Sequence, residues 1–177
     1  DIDRDGWMDL IVTHEYGPIR VFANREGVLV DLSSEMGLSG LKGIWNGVAA
    51  RDLDGDGDID YVATNFGINT TYKGSQEKPE FLHYGDLDGT GKFRVVEAKT
   101  GEGCELPRRG YSCSSNAMPS LKTKLGSYNK FAISSLSDIY STDRVKTSGR
   151  LEMTEMSSTA FFNESSEGKI VLVPVRL

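Results

Sequence analysis

Residues 52–60 read Asp-Leu-Asp-Gly-Asp-Gly-Asp-Ile-Asp, a spacing that suits a hard divalent cation. Counted from Asp52, carboxylates stand at positions 1, 3, 5 and 9 (Asp52, Asp54, Asp56, Asp60), with Gly57 at position 6 and the backbone carbonyl of Asp58 at position 7. Alternate side chains of a tight loop point at one centre, and a glycine permits the sharp turn between them. The same pattern opens the chain with Asp1, Asp3, Asp5 and Asp9, where Gly6 is the turn residue and Trp7 offers its carbonyl. A third, weaker copy runs through Asp86, Asp88, Thr90 and Gly91, and carries Arg94 where the fourth carboxylate should be.

Four carboxylates in one loop repel one another. A pair at about 4 Å costs roughly 1 kcal/mol in water and roughly 4 kcal/mol near a protein surface. Without a counter-ion such a loop splays, protonates or disorders. Oxygen-only ligands at high charge favour calcium over magnesium, which demands near-octahedral geometry and keeps its waters. Asp and Gly also populate ordinary solvated turns. Two intact copies in one chain weigh against that simpler reading.

An EF-hand would place a bidentate Glu at position 12 between two helices. Position 12 is Val12 in the first loop and Ala63 in the second, so that ligand is missing twice. Each loop instead runs into a β-rich segment: residues 8–13 read Met-Asp-Leu-Ile-Val-Thr and residues 59–64 read Ile-Asp-Tyr-Val-Ala-Thr. Residues 47–51 (Gly-Val-Ala-Ala-Arg) before the second loop read as a short buried strand. The repeating unit is therefore strand, cation loop, strand.

The unit from Val48 through Gly67, ending in Asn65-Phe66-Gly67, resembles the FG-GAP or VCBS repeat. The stretch Val21-Phe22-Ala23-Asn24-Arg25-Glu26-Gly27, followed by Leu32 to Leu38, is similar to the connector between such repeats. Pro107-Arg108-Arg109-Gly110 and the segment from Ser112 to Pro119 resemble a bacterial VCBS subfamily found beside ASPIC/UnbV domains. Cys104 has no counterpart in that pattern. The resemblance implies an integrin-α-like β-propeller with calcium in loops joining two strands of a blade. It also implies an extracellular, periplasmic or cell-surface setting, where calcium suits even weak sites.

The expected fold is accordingly mainly β: a propeller fragment carrying a small helical insertion. Blades with calcium loops are expected over 1–118, a helical insertion over 119–148, and further strands of the same propeller over 149–177. The loop starts lie 51 and 34 residues apart, a spacing that fits blades with insertions better than a uniform solenoid. A propeller needs typically 4–8 blades. Repeats of this length cannot supply them in 177 residues, and the chain opens inside a loop, so a piece of a longer protein is expected.

In order, two strands are expected over 8–24 around a turn at Glu15-Tyr16-Gly17-Pro18, then a polar loop over 68–80. Strands flank the third loop, and 101–118 reads as loop. Tyr128, Phe131, Ala132, Leu136 and Ile139 then recur at helical spacing behind Ser127 as N-cap, with a short helix over 142–147. Strands return over 151–156, 159–163 and 170–175.

The net charge is −6, and without the eight Asp of positions 1, 3, 5 and 9 in the two intact loops it would be +2. Acidity is thus concentrated in the loops; the acidic balance argues against nucleic acid as a partner, and the one compact basic run in the sequence is Arg108-Arg109. No apolar run is long enough to span a membrane. Cys104 and Cys113 can pair in an oxidising setting or stay free in a reducing one. His14 and His83 are isolated. A nucleophile needs a base and an orienting third group, and no such motif occurs around the serines near Cys113. The expected function is a non-catalytic, calcium-stabilised module that binds a protein or glycan. Competing expectations are a secreted hydrolase or lyase framed on the same propeller, and a purely structural repeat of a large surface protein.

Overall fold

The computed structural model describes residues 1–166 and 169–177. The chain divides into two units, one made of residues 1–75 with 153–177 and the other of residues 76–152, inserted into the first in sequence. Both are built on antiparallel sheets, and among the described residues no sheet closes on itself.

The first unit contains β1 (Leu10–Val12), β2 (Glu15–Pro18), β3 (Arg20–Arg25), β4 (Val28–Asp31), β5 (Lys42–Ile44), β6 (Gly47–Arg51) and β7 (Asp60–Thr64). The second contributes β8 (Glu80–Gly85), β9 (Arg94–Thr100), β10 (Glu105–Pro107) and β11 (Gly149–Met153). β12 (Thr159–Asn163) and β13 (Leu172–Arg176) return to the first.

β1, β3 and β4 form one sheet, and β6, β7, β12 and β13 form another in the order β13-β12-β7-β6. The two are built alike, residue by residue. Leu10 faces Phe22 and Val12 faces Arg20; Tyr61 faces Phe161 and Ala63 faces Thr159. The 51-residue offset between the loops thus carries β1 onto β7, and β3 and β4 match β12 and β13. β6 has no counterpart beside β1 among the described residues. Inward positions supply the core: Val21 and Ala23 from β3, Ala63 from β7, and Ile2, Leu38, Trp45, Phe161 and Leu172 around them. Burying each large apolar side chain contributes about 1.5–3 kcal/mol.

In the second unit the sheet order is β10-β9-β8-β11. Five short helices pack on it: α1 (Tyr111–Ala117), α2 (Ser120–Leu125), α3 (Tyr128–Ala132), α4 (Leu136–Tyr140) and α5 (Thr142–Thr147). Their core joins Phe81, Leu87 and Val96 to Leu121, Phe131, Leu136 and Ile139.

Several local expectations change. Glu15–Pro18 is a strand pairing with β5, not a turn; the chain bends there at a bulge where Tyr16 takes a positive φ of 51°. β6 is an exposed edge strand rather than a buried one, since only β7 flanks it. Residues 101–118 hold β10 and α1 instead of loop. The apolar stripe from Tyr128 to Ile139 is split between α3 and α4, because Ser135 starts a fresh helix with a capping box to Asp138. Ser127 does cap α3, accepting from the Lys130 N–H at 3.2 Å. β11 belongs beside β8, apart from β12 and β13. Cys104 and Cys113 are free and exposed.

The Asn65-Phe66-Gly67 motif has a clear structural role. Buried Asn65 accepts from the Ile44 N–H at 3.0 Å and donates to the carbonyls of Glu155 at 3.0 Å and Ser157 at 3.3 Å. It therefore ties β5 to the segment that re-enters the first unit. Gly43 lies against it: an added Cβ would meet Asn65 Nδ2 at 2.5 Å and the Trp45 ring at 2.9 Å. Asn65→Ala orphans these partners, among them the buried Glu155 carbonyl, and should cost about 1–3 kcal/mol. In urea denaturation the midpoint should fall with the slope unchanged; an unmoved midpoint would show the amide to be dispensable.

Candidate metal centre

Each loop is shaped by its own backbone before any ligand is considered. In all three copies the N–H at position 6 donates to the carboxylate at position 1: Gly6 to Asp1 at 3.0 Å, Gly57 to Asp52 at 3.2 Å and Gly91 to Asp86 at 3.0 Å. Gly6, Gly57 and Gly91 all adopt positive φ, between 73° and 94°. A side chain there would be strained, which accounts for the glycine. In the intact copies the N–H at position 7 donates to position 5, Trp7 to Asp5 at 2.9 Å and Asp58 to Asp56 at 2.8 Å.

The carboxylate at position 9 fastens each intact loop to its sheet. Asp9 Oδ2 accepts from the Ile2 N–H at 2.6 Å and its Oδ1 from the Asn24 N–H at 2.8 Å. Asp60 Oδ2 accepts from the Leu53 N–H at 2.8 Å and its Oδ1 from the Asn163 N–H at 2.8 Å. One carboxylate thus closes the loop and grips the end of the neighbouring strand.

Of the candidate ligands, the fold brings Asp1, Asp3 and Asp9 together in the first loop and Asp52, Asp54 and Asp60 in the second, one oxygen of each within 4.8 Å of the others. Asp5 and Asp56 stand outside these clusters, as do the side chains of Trp7 and Asp58, whose expected contribution is a carbonyl. Asp3 is 2% exposed, and its Oδ1 is buried with no hydrogen-bond partner. An orphaned carboxylate oxygen at that depth is costly unless a cation or donor reaches it.

The loops differ in the positive charge that the protein itself supplies. Arg25 reaches into the first, its Nη1 lying 2.5 Å from Asp3 Oδ2 and 2.8 Å from Asp5 Oδ2. In the second, the Asp58 carboxylate is ion-paired with Arg4. In the third, Arg94 forks onto Asp88, with Nε at 3.0 Å and Nη2 at 2.9 Å, while the Thr90 hydroxyl donates to Asp88 at 2.6 Å. Burial raises the Asp88 pKa, but the bonds from Thr90 and Arg94 outweigh it and hold the carboxyl below its usual range. Asp86 is occupied by the N–H groups of Thr90 and Gly91. Carboxylate spacing alone does not single out Arg25, Asn24 or Asn163, nor the pairing that Arg94 makes. A signal for the asparagines exists, since Phe-x-Asn occurs at both strand ends (Phe22 and Asn24, Phe161 and Asn163) in the same register.

A second cluster bears on catalysis. Buried His83 places Nε2 at 2.5 Å from Glu105 Oε2 and Nδ1 at 2.9 Å from Ser148 Oγ. Burial raises the Glu105 pKa, but His83 and Arg150 more than offset it and hold the carboxyl low. The order serine, histidine, glutamate mimics a hydrolase triad. Ser148, however, donates its proton to the Val145 carbonyl at 2.8 Å and so faces the ring as an acceptor, the reverse of what a nucleophile needs.

A family model described as the FG-GAP-like repeat matches residues 1–63, the stretch that holds both intact loops. No curated protein and no solved structure matched the chain. Among the described residues no helix is long and apolar enough to cross a membrane.

Asp60→Ala removes the acceptor for two backbone N–H groups and should cost about 2–4 kcal/mol, with or without divalent ions. Thermal unfolding in chelator checks this. A loss that appeared only when metal is present would assign Asp60 to ion binding alone.

Proposed function

We propose that the first unit is a calcium-stapled pair of blades from an FG-GAP-type β-propeller, serving as a non-catalytic recognition module. The observation carrying this reading is the duplicated carboxylate cluster, joined by the buried and unpartnered Oδ1 of Asp3. Asp1, Asp3 and Asp9 would hold one ion, with the Trp7 carbonyl; Asp52, Asp54 and Asp60 would hold the other, with the Asp58 carbonyl. Asp5 and Asp56, outside the clusters in this structure, would complete the donor sets by turning towards the ion. The ion neutralises the loops and, being bound only when they are folded, adds its binding free energy to folding. The third loop uses Arg94 as a tethered cation in place of the ion.

The orientation of Ser148 favours binding over hydrolysis. Loops at the end of such a module present surface to a protein or glycan, in the extracellular, periplasmic or cell-surface setting where millimolar calcium keeps weak sites filled.

Calcium at 100 times its dissociation constant adds about 2.7 kcal/mol per site. Asp54→Ala should therefore lower the Tm in calcium by roughly 5–10 °C and barely move it in chelator, as read by differential scanning calorimetry. Equal losses in both conditions would remove the ion from the account. Arg94→Asp replaces the tethered cation by the missing fourth carboxylate. Calorimetric titration should then count one more calcium per chain than in the wild type, and an unchanged stoichiometry would show that the third loop cannot be converted.

A further inference from the structure

In the second unit, away from the cation loops, an open groove of about 400 Å³ lies between β9–β10 and the helices α1 and α3. It is lined by Lys99, Arg108, Arg109, Tyr111, Tyr128 and Asn129, among others. Three cations thus converge on one concave surface. Arg109 Nε lies 2.5 Å from Glu97 and Arg108 Nε lies 3.4 Å from Glu80. Anchoring a guanidinium at Nε sets the direction of its planar fork before a ligand arrives. Lys99 is exposed on β9 and has no ion-pair partner among the described residues.

The aromatic side is equally ordered. Tyr128 is 66% exposed, yet its ring meets Tyr111 edge-to-face at 4.8 Å and its hydroxyl bonds Ser112 Oγ at 2.9 Å. A ring this exposed fills no core; its fixed orientation leaves a flat apolar face beside the cations. The charge of the unit points the same way. Residues 76–152 carry twelve Lys and Arg against ten Asp and Glu, a net +2, whereas the remainder of the chain stands at −8.

We propose that this groove binds an acidic saccharide, with Lys99, Arg108 and Arg109 meeting carboxylate groups, Tyr128 backing a sugar ring and Asn129 meeting hydroxyls. Arginine forks match carboxylate geometry, and a ring face suits the C–H surface of a sugar. A bare inorganic anion leaves the rings without a role. A nucleic acid meets a chain that is acidic as a whole. The inference makes specific the recognition half of the function proposed above, but its site is separate from the cation loops.

The test is a titration of the full chain with trigalacturonate, with neutral maltotriose and with sodium sulfate, each in calcium and in chelator, followed by NMR and calorimetry. Trigalacturonate should bind saturably below about 1 mM. Lys99→Ala, at an exposed position, should weaken it at least about tenfold while leaving the Tm unchanged, and Tyr128→Ala should weaken it as much while lowering the Tm by only a few degrees through the lost contacts with Tyr111 and Ser112. Maltotriose binding as tightly, sulfate binding as tightly, variants that bind like the wild type, or no binding of trigalacturonate would each overturn the proposal. Binding that persists in chelator, or fails while calcium still raises the Tm, separates this site from the calcium reading.

Discussion

Carboxylates crowded into a strand-joining loop must be neutralised, and the rest of the first unit depends on how that is done. Backbone donors carry the first part of the task, through the glycine N–H at position 6 and the amide at position 7. The position-9 carboxylate carries the second by reaching across to Asn24 or Asn163. That cross-strand bond makes loop shape and sheet pairing a single problem. A loop that loses its form releases the end of the neighbouring strand as well.

What remains is net charge, and the three loops form a graded series. The third has exchanged a carboxylate for Arg94 and is internally balanced at Asp88. The first shares Arg25 between two of its acids, yet leaves one Asp3 oxygen without a partner. The second draws on Arg4, at Asp58, outside its cluster. A tethered guanidinium is always present and insensitive to the surroundings, whereas a diffusible ion makes the same geometry conditional on concentration.

Much of the first unit is legible in the sequence because its determinants are local. Position-specific Asp and Gly write a loop within nine residues, and the β-rich runs after each loop write the strands. The determinants that escape such a reading lie far away in the chain. Asn163 is 103 residues from Asp60, and carboxylate spacing holds no trace of such a partner. Glu15–Pro18 reads as a turn because Gly and Pro dominate its composition, yet pairing with β5 makes it a strand. Gly47–Arg51 has buried-strand composition and an edge-strand position, since small apolar residues do not declare how many neighbours they will have. In the second unit the helical spacing is visible from Tyr128 to Ile139, but Ser135 and Asp138 start a new helix inside it, as local capping overrides a periodic stripe.

The placement of residues 76–152 between β7 and β12 also bears on how the chain reaches its native state. β6 and β7 face each other across a short loop and can zip as a hairpin at small entropic cost, whereas β12 must return across the whole insertion to dock on β7. Closure entropy rises only logarithmically with length, so the penalty is bearable, but long-range pairing is slow until the intervening chain is compact. The insertion has its own apolar core and sheet, so it can become compact without the rest of the chain. The four-stranded sheet is therefore completed late, and lesions in the helical segment would delay a β-sheet to which they contribute no strand.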